Sequence, residues 1–111
     1  MVKTQTDVPR LINRYADALE KQIKVDKVIL IGPYAKGEPD EWSDIEVIVI
    51  SKDFVDMLQT DRLDLLATQI VGINNWLVPH GGYTPDEYEH PEKTLHLGWV
   101  KSIGKVLYES N

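Results

Sequence analysis

The segment from residue 28 to residue 50 constrains this chain more than any other part of it. An apolar run stops at Gly32, a polar loop follows, and a second apolar run extends to residue 50. Two short apolar runs separated by loop residues are typical of buried strands. The second run begins with carboxylates at alternate positions, Asp44 and Glu46. Because side chains two apart on a strand share a face, the two acids are expected side by side, roughly 6 to 7 Å apart at Cα.

A pair of carboxylates facing a glycine predicts a particular chemistry. Carboxylate oxygens are preferred ligands of Mg²⁺, and a metal held by Asp44 and Glu46 can neutralise a polyphosphate. Gly32 has no side chain and lets the backbone approach the phosphates. Lys36 can add positive charge there, although a lysine in an exposed loop needs no such role. The segment therefore predicts a nucleotide site that depends on Mg²⁺.

Length and composition narrow the class of protein. The 111 residues suffice for a single domain, 1–111, with a core of its own. A formal net charge of −6 argues against direct binding to nucleic acid, which needs a basic surface. No apolar stretch is long enough to span a bilayer and no signal peptide is present, so no membrane association is expected. The absence of cysteine excludes disulfides and suits a cytoplasmic location.

Hydrophobic periodicity and turn residues predict helices and strands in the order α-β-β-α-β-α-α. The predicted helices are 8 to about 24 after an Asp7 cap, 61–71, one that begins at Thr84-Pro85, and 95–103; the predicted strands are 28–31, 45–50 and 73–78. Pro79-His80-Gly81-Gly82 is expected to end the third strand, and a short extended segment, 106–108, follows the last helix. This order is typical of an α+β domain in which helices pack against one small mixed sheet.

The glycine, the acids and the spacing between them resemble the signature of the minimal nucleotidyltransferases of the DNA polymerase beta superfamily. In that signature a glycine-serine pair ends the first strand, ten residues follow, and Asp-x-Asp begins the next strand. Here ten residues separate Pro33 from Asp44, and Asp44-Ile45-Glu46 occupies the acid motif. Glutamate at the second acid position is similar to the kanamycin nucleotidyltransferases.

The resemblance implies a polymerase beta-like fold and a transfer reaction. A nucleoside monophosphate, with AMP from ATP as the expected case, would pass from a nucleoside triphosphate to a protein or small-molecule acceptor. Asp44 and Glu46 would be the catalytic ligands of Mg²⁺, while Gly32, Lys36 and Ser43 would bind the nucleotide. For Ser43 the alternative is that it only turns the chain before the strand. Relatives work beside a helical HEPN-type protein in pairs that resemble toxin–antitoxin modules, so such a partner is expected.

Departures from the family pattern support an alternative function. Pro33 replaces the serine and removes both a hydroxyl and a backbone N–H. The predicted third strand lacks the carboxylate that active members place there; its polar candidates are Asn74, Asn75 and His80, the last being either a loop histidine or a catalytic substitute. The alternative is a catalytically degenerate module that binds a partner protein or a nucleotide. Trp42 is either an exposed loop residue or a surface on which a base can stack.

Overall fold

The computed structural model describes residues 7–73, 76–93 and 95–110. Its helices are α1 Val8–Leu19, α2 Gly32–Lys36, α3 Gln59–Thr68, α4 Pro85–Glu89 and α5 Leu95–Ile103. Its strands are β1 Lys27–Ile31, β2 Ile45–Ile50, β3 Leu77–Tyr83 and β4 Lys105–Glu109. Short 3-10 turns cover Lys52–Phe54 and Pro91–Lys93. Within the described residues, no helix has the length and apolar character needed to cross a membrane.

The four strands form one mixed sheet in the order β3-β2-β1-β4. β1 is antiparallel to both β2 and β4, whereas β2 and β3 are parallel. The register of β1 and β2 pairs Ile31 with Glu46 at one end and Lys27 with Ile50 at the other. Helices cover both faces of the sheet. The predicted α+β class, with helices packed against a small mixed sheet, is confirmed.

Alternation along β2 divides its apolar residues between two clusters. Val47 and Val49 belong to the larger cluster, in which the sheet packs against α1 and α3. Ile48 and Ile50 belong to the smaller cluster, in which the sheet packs against α5. β2 is therefore buried on both faces along most of its length. The apolar pattern is interrupted only near its start, where the acids lie.

Several elements have the bounds or caps predicted from the sequence. β2 and α5 cover the predicted residues, 45–50 and 95–103. Thr84 caps α4: its hydroxyl accepts a hydrogen bond from the N–H of Glu87, and the Glu87 carboxylate accepts one from the N–H of Thr84. This reciprocal pair is a capping box and defines where the helix begins.

Two predicted helices end earlier than expected, and one predicted loop is helical. α1 ends at Leu19 rather than near residue 24, because turn bonds of the i→i−3 type follow it; the N–H of Gln22, for example, donates to the C=O of Leu19. Ile23 remains buried, so the apolar periodicity outlasts the helix. α3 ends at Thr68 rather than at Val71. The Gly-Pro segment, expected to be a turn, begins the short helix α2.

A third strand is present, but its predicted bounds of 73–78 are wrong, because β3 begins at Leu77 and contains the residues that were expected to end it. Proline is tolerated at position 79 because β3 lies at the edge of the sheet, where a missing N–H interrupts no inner ladder. The glycine at position 82 is needed for packing, since a Cβ there would lie 2.6 Å from the ring of Phe54.

Side chains of α3 cover the outer edge of β3 at Gly82. The N–H of Gly82 donates to Oε1 of Gln59 at 2.9 Å, and its C=O accepts from Nη1 of Arg62, also at 2.9 Å. Arg62 is 7% exposed and forms an ion pair of 2.8 Å with Glu87. The buried guanidinium therefore joins α3, the edge strand and α4 in one hydrogen-bonded network.

Candidate functional site

The two predicted acids lie at the start of β2. Glu46 is the second residue of the strand and is half-buried. Asp44 precedes the strand and is exposed, and the N–H of Ile45 between them donates to the C=O of Trp76 at 2.7 Å. Alternation along β2 places Glu46 on the sheet face of Ile48 and Ile50, which packs against α5. Within the described residues, the Asp44 carboxylate has no ion-pair partner.

Gly32 lies directly against the carboxylate of Glu46. Its φ of +75° is in the left-handed region, which glycine adopts without strain. A Cβ at this position would lie 2.5 Å from Oε2 of Glu46, too close for a side chain to fit without displacing the carboxylate. Both the conformation and the space at the junction of β1 and α2 therefore require glycine.

His80 approaches Glu46 from the neighbouring strand. Its Nε2 atom lies 3.2 Å from Oε1 of Glu46, and the two side chains are 40% and 26% exposed. It reaches this place because the register between β2 and β3 shifts there and leaves His80 as an extra residue, in the manner of a β-bulge. Sequence reasoning favoured a loop histidine. That prediction did not allow for proline within an edge strand, and it therefore ended the strand before His80.

The expected third-strand carboxylate has no counterpart among the described residues of β3. Of the three polar candidates, Asn74 and Asn75 lie outside the described residues. His80 is the candidate that the structure brings to Glu46. An imidazole can bind a metal or accept a proton, so this position keeps a group able to take part in chemistry.

Pro33 and Lys36 lie near the two ends of the short helix α2. Pro33 occupies the first turn, where the helix needs no N–H from it. Lys36 occupies the last turn and is exposed. It lies about 6 Å along the helix axis from Gly32. No ion pair joins Lys36 to Asp44 or Glu46 in the part of the chain that the structure describes.

Ser43 organises the loop that enters β2. Its hydroxyl accepts from the N–H of Asp40 at 2.9 Å and donates to Oδ1 of Asp40 at 3.1 Å. The same Asp40 oxygen accepts from the N–H of Trp42 at 2.8 Å. Burial and the nearby negative charge of Asp40 raise the pKa of Tyr34 on α2. These bonds give Ser43 the role of closing a turn, and its predicted contact with a nucleotide stays a prediction.

The residues at this site fit Mg²⁺ that arrives with a phosphate ligand. Mg²⁺ takes oxygen ligands and is usually held by one or two carboxylates together with waters and substrate phosphates. Asp44 is accessible, and Glu46 is held between Gly32 and His80. Over residues 7–73, 76–93 and 95–110, no three His, Cys, Asp or Glu side chains are grouped to hold a metal ion. Two carboxylates therefore offer a partial coordination shell, not a closed cage.

Comparison with known proteins finds relatives along most of the chain. Residues 12–101 match the nucleotidyltransferase domain family. A putative protein adenylyltransferase of Methanocaldococcus jannaschii is 35% identical over 81 residues, which are 73% of this chain and 77% of that protein. A second protein of the same description and organism is 28% identical over 80 residues, 72% of this chain and 82% of that protein.

The fold has a close counterpart among solved structures. The crystal structure of a putative nucleotidyltransferase from Sulfolobus solfataricus superimposes with a TM-score of 0.71 and covers 95% of this chain and 83% of that chain. At 16% identity this likeness bears on the fold alone. The predicted fold is confirmed by it.

Proposed function

The chain belongs to the nucleotidyltransferase domain family, and on this premise we propose that it transfers AMP from ATP to a protein acceptor with Mg²⁺ bound by Asp44 and Glu46. The observation that carries the proposal is the position of the Glu46 carboxylate, which lies over the bare backbone of Gly32 and beside His80. The resemblance of the segment from Gly32 to Glu46 to the minimal nucleotidyltransferases of the polymerase beta superfamily supports the same reaction.

Each residue of the candidate site has a defined part in this proposal. Asp44 and Glu46 would hold Mg²⁺, which when bound would supply the positive charge that neutralises the triphosphate and the leaving pyrophosphate. Gly32 has no side chain, so the carboxylate of Glu46 can lie directly against its backbone. Lys36 supplies a positive charge to the phosphates from the end of α2. Ser43 holds the loop in its turn and is offered as a further contact to the nucleotide.

We propose that His80 takes the role of the carboxylate that active members of the family place on the third strand. It is the polar residue of β3 that touches Glu46, at 3.2 Å, and it is accessible to solvent. In this role its imidazole accepts the proton of the acceptor hydroxyl as that oxygen attacks the α-phosphate. Pyrophosphate leaves as the new phosphate ester bond forms.

A protein acceptor is favoured by the descriptions of the two Methanocaldococcus relatives as protein adenylyltransferases. A separate helical protein of the HEPN type is the expected partner, in a toxin–antitoxin-like pair. A cytoplasmic location, where ATP and Mg²⁺ are available, suits this activity.

A second candidate function is a degenerate module that binds a nucleotide or a partner without turnover. The observations that favour it are Pro33, which removes a hydroxyl and an N–H from the phosphate-binding turn, and the lack of a carboxylate in β3. Both candidates share the fold, and they differ in whether AMP is transferred.

Calorimetry and a labelling assay separate these functions. ATP would be titrated into the wild-type protein with Mg²⁺ and with EDTA, and into Asp44→Asn and Glu46→Gln. Asp64→Asn, an exposed carboxylate on α3, is the matched control. Binding that requires Mg²⁺ and both acids, with transfer of labelled AMP to a helical partner protein, supports the enzyme. Such binding without transfer supports the module. Binding that is indifferent to both acids would overturn the proposed site.

A further inference from the structure

Trp42 is an unusually exposed aromatic side chain beside the candidate site. It is 76% exposed, whereas Trp99 is 46% exposed and Trp76 is partly buried against the core. A tryptophan with most of its surface in water is uncommon, because burial of its large apolar area is strongly favourable. Its ring packs against none of the buried clusters of the described chain, so the core gains little from it.

The backbone of Trp42 is held in place although its ring is not packed. Its N–H donates to Oδ1 of Asp40 at 2.8 Å, and the N–H of Ser43 donates to the C=O of Asp40 at 3.2 Å. The Ser43 hydroxyl closes the same turn from the other side. The turn therefore fixes the backbone that carries the indole. Less conformational entropy is then lost when a ligand binds to the ring.

The position of Trp42 suits the base end of a nucleotide. Its Cα is two residues from that of Asp44 and therefore at most about 7 Å away. Glu38, Asp40 and Glu41 surround it in sequence with negative charge, which disfavours a phosphate that carries no metal. Under the proposed function, the triphosphate would therefore bind where Asp44 and Glu46 would hold Mg²⁺, and not at Trp42. An uncharged base, one ribose away, meets no such repulsion at Trp42.

We infer that Trp42 is the surface on which the base of the substrate nucleotide stacks. The inference rests on the proposed function, because it assigns the base of the same nucleotide whose phosphates the acids bind. Stacking on an indole depends on the area of the base and not on a pattern of hydrogen bonds. Purine nucleoside triphosphates are therefore the expected class of substrate, ahead of pyrimidine ones.

The test compares ligands with and without a base. Mg²⁺·ATP, Mg²⁺·CTP and Mg²⁺·tripolyphosphate would be titrated into wild type, Trp42→Ala and Trp42→Phe, with Trp99→Ala as a control for loss of an exposed tryptophan. Trp42→Ala should weaken ATP binding roughly 5- to 150-fold, in line with the loss of one stacked base. Trp42→Phe should keep most of the affinity. Tripolyphosphate should bind wild type and Trp42→Ala equally well, and ATP should bind wild type more tightly than CTP.

Each other outcome overturns the inference in a way that can be recognised. Equal ATP affinity in Trp42→Ala and wild type refutes stacking and leaves the phosphate site intact; if labelling of a protein acceptor falls in that variant, Trp42 is instead an acceptor contact. An equal loss for ATP and tripolyphosphate shows that Trp42 only supports the loop. If wild type binds neither ligand, the proposed function fails and this inference fails with it.

Discussion

The carboxylate of Glu46 occupies the space that a side chain at position 32 would need. A Cβ on Gly32 would lie 2.5 Å from Oε2 and 2.8 Å from the carboxyl carbon of Glu46. The end of β1, the start of α2 and the position of the Glu46 carboxylate therefore depend on one another. Gly32 is required in this chain even before any phosphate is bound.

Replacement of Gly32 by alanine is expected to destabilise the protein by two additive effects. The left-handed backbone costs about 1–2 kcal/mol, and displacement of Glu46 adds to it. Gly72→Ala is the matched control, because Gly72 has a φ of +83° but nothing within 4 Å of an added Cβ. Urea denaturation should show a larger loss for Gly32→Ala than for Gly72→Ala. Equal losses would mean that Glu46 moves aside without cost.

Replacement of His80 by alanine is expected to lower the rate of AMP transfer about 10²-fold or more, the usual effect of losing a general base. The contact with Glu46 at 3.2 Å is partly exposed, so stability should change little. His90→Ala, which removes an exposed histidine near Asp86 and Glu92, is the control. Single-turnover kinetics with saturating Mg²⁺·ATP would measure the effect. A rate unchanged in His80→Ala would exclude the histidine as the base.

Tyr15 makes stability sensitive to alkaline pH. Its hydroxyl is buried and donates to the C=O of Leu66 at 2.7 Å, and burial raises the pKa of Tyr15 well above its ordinary value. The unfolded chain loses this proton near pH 10 while the folded protein retains it. The contribution is therefore present below about pH 10 and is lost as the pH rises further.

Tyr15→Phe should cost about 1 kcal/mol at neutral pH, since one buried hydrogen bond is removed. It should also reduce the fall in unfolding free energy above pH 10. The measurement is chemical denaturation at intervals from neutral pH to about pH 11. Parallel curves for the two proteins over that range would contradict the assignment to Tyr15.

Glu87 has the opposite dependence on pH. Burial by itself would raise the pKa of Glu87, but hydrogen bonds from Arg62 and Thr84 and the charge of Arg62 lower it below the usual range. A lowered pKa in the folded state contributes stability that is present above the unfolded value, near 4.5. That contribution is lost as the pH falls through the folded value.

Glu87→Gln keeps the shape and an acceptor oxygen but removes the charge that faces Arg62. We expect lower stability at neutral pH, by about 1–3 kcal/mol, because a buried guanidinium loses its counter-charge. We also expect a shallower loss of stability in acid. Glu89→Gln, an exposed carboxylate on the same helix, is the control and should leave both quantities unchanged. Denaturation curves between pH 3 and 7, a range set about the usual glutamate pKa, would measure both.

The elements whose local and tertiary preferences agree could be predicted from the sequence. β2 is apolar on both faces and lies at the centre of the sheet, so its bounds follow from its hydrophobic run. Thr84-Pro85 with Glu87 is a local cap that forms without distant contacts. The position of Glu46 as the second residue of β2 follows in the same way from the hydrophobic run that surrounds it.

β3 could not be predicted, because its sequence contradicts its place in the sheet. Proline and two glycines usually end a strand, yet here the edge position tolerates Pro79 and the ring of Phe54 fills the space above Gly82. Both the edge position of β3 and the contact with Phe54 depend on residues that are far from β3 in the sequence. The error moved His80 from a strand into a loop, and with it the contact to Glu46 was missed.

The bonds at Gly82 have a consequence for how other proteins can reach this site. Its N–H and C=O are already taken by Gln59 and Arg62, and Pro79 on the same strand has no N–H to offer. A visiting strand that approached this edge would find too few groups to form a ladder. Under the proposed function, an acceptor protein is therefore expected to present its target residue as a protruding side chain, and not as a fifth strand beside β3.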